Sequence, residues 1–185
     1  LCKIGTYVTG NVCSDCSIGK YRDGAIAQTQ CETCGIGTYQ DEKGKSTCKA
    51  CQQGKYHIVD TNNCENCQVG KHNDDVAKTS CKSCLAGSYQ KNTGKVYCDL
   101  CPAGRWTDKT GSSSECTLCS AGKFSNPGGI NPSACLDCPK GKYGNQTGAP
   151  SEEVGCGGKC PPGKHGVNVG KDSVSAACSS CGAGK

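Results

Sequence analysis

Of the residue types in this chain, cysteine carries the most chemistry, with 21 thiols in 185 residues. They come as couples two residues apart, as in CSDC at Cys13 and CETC at Cys31, with polar loops of 10 to 17 residues between couples. Thiols so spaced can form disulfides, bind zinc or act in redox exchange. The C-x2-C-x13-C-x2-C run from Cys31 to Cys51 comes close to four-thiolate zinc spacing. A zinc array would group the couples in twos, whereas here the gaps are alike and Cys2 stands alone at the start. One couple also widens, to CGGKC at Cys156 and Cys160. A thioredoxin-type CxxC would need a strand and a helix to lower the thiol pKa, and neither is readable here. Disulfides are therefore preferred, with no metal and no cofactor expected.

The elements that must hold these sulfurs cannot rely on an apolar core. Leu, Ile, Val and Phe number 22, about 12% of the chain, below the roughly 20% under which burial fails to offset conformational entropy. Cysteine at about 11% lies in the range where cross-links replace a core, and it implies an oxidising compartment. The start, LCKIGTYVTG, has no apolar signal-peptide region, and no run of about 18 apolar residues occurs. The expectation is a processed or excerpted piece of an exported protein, extracellular and either secreted or on the cell surface. The net charge of +5 comes from 19 Lys and two Arg spread along the chain. That is mild basicity, with no nucleic-acid footprint.

Self-similarity organises the sequence. One phrase recurs as CKIGTY, CSIGKY, CGIGTY, CQQGKY, CQVGKH, CLAGSY, CPAGRW, CSAGKF, CPKGKY, CPPGKH and CGAGK. Its Gly is fixed at Gly5, Gly19, Gly37, Gly54, Gly70, Gly87, Gly104, Gly122, Gly141, Gly163 and Gly184, which predicts positive φ or a close backbone approach. Two residues on comes a flat side chain: Tyr7, Tyr21, Tyr39, Tyr56, His72, Tyr89, Trp106, Phe124, Tyr143 or His165. Each ring is expected to pack over a disulfide and its Gly as the largest apolar contact of the unit, in preference to a ladder that stacks sugars or bases. His57, which follows Tyr56, is expected to face solvent. The slot between Gly and ring is basic in eight copies, Lys20, Lys55, Lys71, Arg105, Lys123, Lys142, Lys164 and Lys185. It reads as a solvated edge, with a polyanion-binding stripe as the sharper alternative. A weaker landmark lies in each loop, at Gly10, Gly24, Gly44, Gly94, Gly111, Gly148 and Gly170, with Asp60 or Asp75 in other copies. Each unit thus reads as an arm, a turn and a return arm.

The expected fold is small, disulfide-rich and mostly irregular, with short β-hairpins and almost no helix, arranged as an elongated tandem-repeat rod. Residues 1–185 form one continuous array of about ten single-disulfide repeats, of roughly 16–22 residues each, plus the start of an eleventh, with enlarged loops in 138–178. Pairing the second Cys of one couple with the first of the next gives Cys2 with Cys13, Cys16 with Cys31, Cys34 with Cys48, Cys51 with Cys64 and Cys67 with Cys81. It continues with Cys84 and Cys98, Cys101 and Cys116, Cys119 and Cys135, Cys138 and Cys156, and Cys160 and Cys178. Cys181 is left unpaired, or paired outside this segment. The scheme is preferred because each loop then carries its own Gly, ring and turn. An interleaved scheme, such as Cys13 with Cys31 and Cys16 with Cys34, stays open. Each closed loop would contribute about 3 kcal/mol in the chain-entropy model.

The phrase CxxCxxGxY, a Gly-containing loop and another CxxC together resemble the ephrin-receptor-like cysteine-rich repeat, from Cys2 to the end of the chain. They are also similar to the single-disulfide A-type module of tumour necrosis factor receptors. The resemblance implies an extracellular, disulfide-linked, non-enzymatic module, and the family's typical pairing supports the consecutive scheme. The departures are the widened couple at Cys156 and Cys160 and the long loops NPGGINPS and GNQTGAPSEEVG. Insertions of this kind commonly map to a contact face.

No nucleophile signature, phosphate-cradling loop or core able to shape a pocket is present, so the chain is not expected to be an enzyme. The leading expectation is an extracellular structural rod whose uncapped ends favour head-to-tail continuation and self-association into a fibre. The alternatives are a receptor or adhesion ectodomain that binds a protein ligand along the array, and a protist surface-coat antigen. Asn145, in Asn145-Gln146-Thr147, is the one N-x-S/T acceptor open to glycosylation, because Pro132 blocks Asn131. O-linked glycans are open without a location.

Overall fold

The computed structural model describes residues 2–24 and 29–182. Gly184 and Lys185, the last positions of the repeated phrase, lie outside the described residues. The chain divides into two compact units, Leu1–Lys82 with Asn92–Tyr97, and Ser83–Lys91 with Cys98–Lys185.

Ten disulfide loops recur, numbered here as repeats 1 to 10 from Cys2–Cys13 to Cys160–Cys178. Each contains one two-stranded antiparallel hairpin. The first strand starts at the slot residue and its ring, and the second is the pair of residues between two coupled cysteines: Lys20–Tyr21 pairs with Glu32–Thr33, and Arg105–Trp106 with Thr117–Leu118. A strand of two residues cannot hold itself in water. The disulfide holds it, with Cα–Cα distances of 5.4 Å at Cys138–Cys156 and 5.8 Å at Cys34–Cys48, inside the ordinary range. The N–H of the cysteine after each hairpin closes it on the phrase glycine, as from Cys16 to the Gly5 carbonyl and from Cys119 to the Gly104 carbonyl, both at 2.9 Å.

Loop length selects the rest of each repeat. Repeats 1 and 4, whose cysteines are 11 and 13 residues apart, have four-residue strands, Thr6–Thr9 with Val12–Asp15 and Lys55–Ile58 with Asn63–Asn66. Repeats 9 and 10, at 18 residues, add one helical turn each, α1 (Glu152–Gly155) and α2 (Val174–Ala177). Ser151 caps α1, its hydroxyl accepting from the Val154 N–H. Helix is otherwise limited to a single 3-10 turn, Pro132–Ala134, among the described residues. The architecture is the small disulfide-rich repeat of short hairpins that the cysteine pattern anticipates.

Sulfur forms much of the buried interior of both units. Cys16, Cys51, Cys67, Cys84, Cys101 and Cys138 are fully buried, while Ile36, Leu85 and Leu100 lie on the surface. The rings of the phrase are only half-buried, and His165 is exposed. In repeats 2 to 8 the buried side chain is the next one along: Arg22, Gln40, His57, Asn73, Gln90, Thr107 or Ser125. His57 therefore departs from the expectation of a solvent-facing side chain, being 4% exposed. Its backbone N–H donates to the Lys78 carbonyl of the next repeat at 2.7 Å, which draws the side chain inward.

The loop landmark also needs correction. The left-handed residues of repeats 4 and 5 are Asn62 (φ +48°) and Ala77 (φ +57°), not Asp60 and Asp75, and Gly128 (φ +78°) fills the position in repeat 8. Asp74 and Asp75 instead pair with Lys82 and Lys78 on the surface. Gly24 is not among the left-handed glycines, and residues 25–28 of its loop lie outside the described residues.

Candidate functional site

The repeated chemistry of this chain lies at the junction between one repeat and the next, and main-chain atoms make it. Three hydrogen bonds recur. The phrase glycine donates to the carbonyl of the buried residue one repeat on, as from Gly5 to Arg22 (2.8 Å), Gly54 to Asn73 (2.7 Å) and Gly104 to Ser125 (2.9 Å). The N–H of that buried residue donates to the residue after the next loop's left-handed position, as from Asn73 to Lys95 (3.1 Å) and Thr107 to Gly129 (2.9 Å). The left-handed residue donates back to the opening cysteine of the preceding repeat, as from Gly44 to Cys16 (2.9 Å), Gly128 to Cys101 (2.7 Å) and Gly170 to Cys138 (2.8 Å).

A further contact skips a repeat and explains the glycine. A Cβ built on Gly5 would lie 2.1 Å from the Gly44 carbonyl oxygen, on Gly37 2.1 Å from that of Ala77, and on Gly104 2.0 Å from that of Gly148. The two glycine landmarks, separate in sequence, touch across two repeats. In repeat 4 a side chain takes this place: Asn62 Nδ2 donates to the Gly19 carbonyl at 2.9 Å, and Asn62 Oδ1 faces His57 Nε2 at 3.0 Å. With the amide nitrogen so engaged, Nε2 is the donor, and His57 Nδ1 is buried without a partner.

Side chains at the buried position satisfy themselves in varied ways. Arg22 Nη1 donates to the Thr6 carbonyl (2.6 Å) and Asn73 Nδ2 to the Lys55 carbonyl (2.6 Å), both in the preceding repeat. Gln40 Nε2 donates to the Thr47 carbonyl of its own loop (2.6 Å). The slot beside it carries charge or a hydroxyl. Where no cation stands there, Thr6, Thr38 and Ser88 donate to the carbonyl three residues back, at 2.7, 2.7 and 2.8 Å. Arg105, Lys123 and Lys142 pair with Glu115, Asp137 and Glu152. Lys20, Lys55, Lys71 and Lys164 are exposed, and no carboxylate is paired with them among the described residues.

Away from the slot, Lys49 bridges Asp41 and Glu42. The hydrogen bond from Lys49 lowers the Asp41 pKa, that from Lys45 and then that from Lys49 lower Glu42, and the bond to Asp41 raises Lys49. Asp74 is lowered and Lys82 raised by their mutual bond. The Tyr21 hydroxyl, donating to Glu32 at 2.8 Å, is raised by that bond.

Twenty cysteines stand in disulfides that join the second of one couple to the first of the next, and Cys181 is free and exposed. Asn145, Gln146 and Thr147 are all exposed, between Gly144 and Gly148, which are both held by the main-chain bonds. No helix of the described residues is long and apolar enough to cross a membrane.

Comparison with known proteins agrees with this geometry. Residues 24–60 and 75–115 match the family model described as tyrosine-protein kinase ephrin type A/B receptor-like. Those segments are ephrin-receptor-like repeats, and ten tandem disulfides fit a cysteine-rich repeat family. A mouse protein, sushi, von Willebrand factor type A, EGF and pentraxin domain-containing protein 1, is 32% identical over 134 residues. The match takes in 69% of this chain and 4% of the mouse protein's length. Cross-linked repeats of this type are of extracellular character.

Proposed function

We propose that this chain is a non-enzymatic extracellular structural protein, a rigid disulfide-stapled rod of which 1–185 is one continuous array, and that it assembles into a fibre. The carrying observation is the set of three main-chain hydrogen bonds repeated from one junction to the next within each unit. A contact made by backbone atoms depends little on side-chain identity, so copies can be added without a new interface being designed each time. Ile4, Ile18 and Ile36, in the same slot of three successive repeats, are 52%, 59% and 75% exposed, which supports contacts repeated at equivalent positions between copies. Secretion, a glycan on Asn145 and the absence of nucleic-acid partners complete the reading. Sedimentation and negative-stain images of the purified chain test it: straight filaments with a regular axial repeat support it, and a dispersed monomer that never associates rejects it. The pairing has its own test, since Cys16→Ser should leave Cys31 as a reactive thiol, and a Cys31 still oxidised to another sulfur would reject it.

A second reading, an ectodomain that binds a protein ligand along the array, draws support from repeats 9 and 10. Their loops alone carry α1 and α2 among the described residues, and unusual units suit a localised contact. Binding lost on exchange of those two loops for the loop of repeat 7 would favour it.

A further inference from the structure

One groove recurs at a fixed place in the first unit. Between repeats 4 and 5 it measures about 170 Å³ and is lined by Tyr56, Gln68, Lys71, Thr79, Ser80 and Cys81. Between repeats 1 and 2 its counterpart, about 300 Å³, is lined by the matching Tyr7, Ser17, Lys20, Thr29, Gln30 and Cys31, together with Asp15. The components are the same both times: the ring of one repeat, the slot lysine of the next, and the polar residues just before that repeat's closing cysteine.

We propose that the groove between repeats 4 and 5 binds an anionic polysaccharide, with a sugar ring on Tyr56 and its sulfate or carboxylate against Lys71. A half-exposed phenol offers a flat apolar face to the C–H side of a pyranose, with a polar edge beside it. Lys71 supplies a compact charge on a flexible stem, and Thr79, Ser80 and Gln68 supply hydrogen-bonding groups around it.

Charge separates this groove from the others. Lys71 has no carboxylate within ion-pair distance among the described residues. In repeat 8 the slot cation, Lys123, is held by Asp137 at 2.6 Å, and both line the local groove of about 470 Å³, so that site carries its own counter-ion. Between repeats 1 and 2 the lining includes Asp15, where the equivalent residue of repeat 4 is the neutral Asn66. Glu65, opposite Tyr56 in the strand register, does not line the groove. Recurrence of the same components three repeats apart suits a linear ligand with regularly spaced charges better than a single docked peptide.

The experiment measures binding of the full chain to two immobilised probes at physiological salt, a sulfated heparin oligosaccharide and hyaluronan, whose only charges are carboxylates. Lys71→Gln should weaken binding about fivefold, as expected for one exposed charge pair. Tyr56→Leu should weaken it about threefold through loss of the ring face. Lys91→Gln, exposed and outside the groove, should leave it unchanged, and Asp15→Asn should strengthen it about twofold by freeing the counterpart groove. An unchanged thermal midpoint for each variant shows that the fold is intact. Capture by the sulfated probe alone assigns the charge to sulfate, and capture by both assigns it to either anion; each supports the site when Lys71→Gln weakens it. Equal weakening by Lys71→Gln and Lys91→Gln, or no binding of the unaltered chain to either probe, overturns the proposal.

Discussion

Repeats 7 and 8 close their loops over 15 and 16 residues, whereas repeats 9 and 10 each take 18. The main-chain bonds between them are nevertheless the same: Gly128 donates to the Cys101 carbonyl at 2.7 Å and Gly170 to that of Cys138 at 2.8 Å. The reason lies in where the extra residues go. From Cys101 to Gly111, Cys138 to Gly148 and Cys160 to Gly170 the count is ten, and from Cys119 to Gly128 it is nine. Added length falls between the left-handed residue and the closing cysteine, where α1 and α2 take it up. In these four repeats the half leading to the left-handed residue keeps nearly the same length and the other half grows, its added turn α1 packing in repeat 9 against Lys123 and Phe124 of repeat 8. Loop closure penalises such growth only logarithmically.

Four measurements would break or sharpen this division. The largest effect is expected at Gly104→Ala, whose new Cβ would meet the Gly148 oxygen at 2.0 Å; denaturation should show a loss of about 3 kcal/mol or more. Gly163→Ala has nothing within 4 Å of the new Cβ and keeps only the left-handed penalty at φ +80°, about 1–2 kcal/mol. Equal losses would mean that φ alone, and no contact across two repeats, fixes the phrase glycine.

Insertion of Gly-Ser-Gly into repeat 7 tests the two halves directly. Placed after Asp108, it displaces Gly111 from the Cys84 carbonyl and Ser112 from the Gln90 N–H, at about 2 kcal/mol for two hydrogen bonds. Placed after Ser113, beyond the left-handed residue, it should cost about 0.5 kcal/mol. Reversal of that order by chemical denaturation would show that the division is misplaced.

Ala77→Gly probes the same position from the opposite side. Ala77 sits at φ +57° where most repeats have glycine, and its replacement should raise stability by about 1 kcal/mol, seen as a higher melting temperature.

The smallest effect concerns surface charge just ahead of the left-handed Gly44, in the half that keeps its length. Asp41 and Glu42 have lowered pKa values in the fold, so their contribution is present above the unfolded carboxylate range and fades as pH falls through the folded values. The raised Lys49 contributes below its unfolded pKa, and that contribution is lost as pH rises through the folded value. A urea midpoint that dips slightly on going from about pH 6 to about pH 3, with a smaller dip in Lys49→Gln, is the expected record.

Some of this was legible in the residues alone and some was not. Hairpins, scarce helix and the positive φ of the phrase glycine follow from spacing and from the one residue type tolerated there. The buried position after the ring was hidden because Arg22, Gln40, His57, Asn73, Gln90, Thr107 and Ser125 are all polar, which reads as a solvent-facing position. Backbone bonding buries them, and hydropathy patterning carries no sign of that burial. Asn62 and Ala77 were missed for a related reason. Turn propensity points to Asp60 and Asp75, while the contacts that select the left-handed residue come from neighbouring repeats and override it. The contact between glycine landmarks could have been suspected from their joint recurrence, since a residue without a side chain often marks a close approach.

The polar residues buried with the disulfides also bear on how this molecule meets temperature. Unfolding heat capacity grows with the apolar surface newly wetted and shrinks with the polar surface, netting about 12–15 cal/mol/K per residue in ordinary globular proteins. A chain whose interior is cystine, amide and hydroxyl, with Ile36, Leu85 and Leu100 already wet in the native state, should fall below that range. Its free-energy curve would then be shallow, and its resistance to unfolding would change little between cold and warm water.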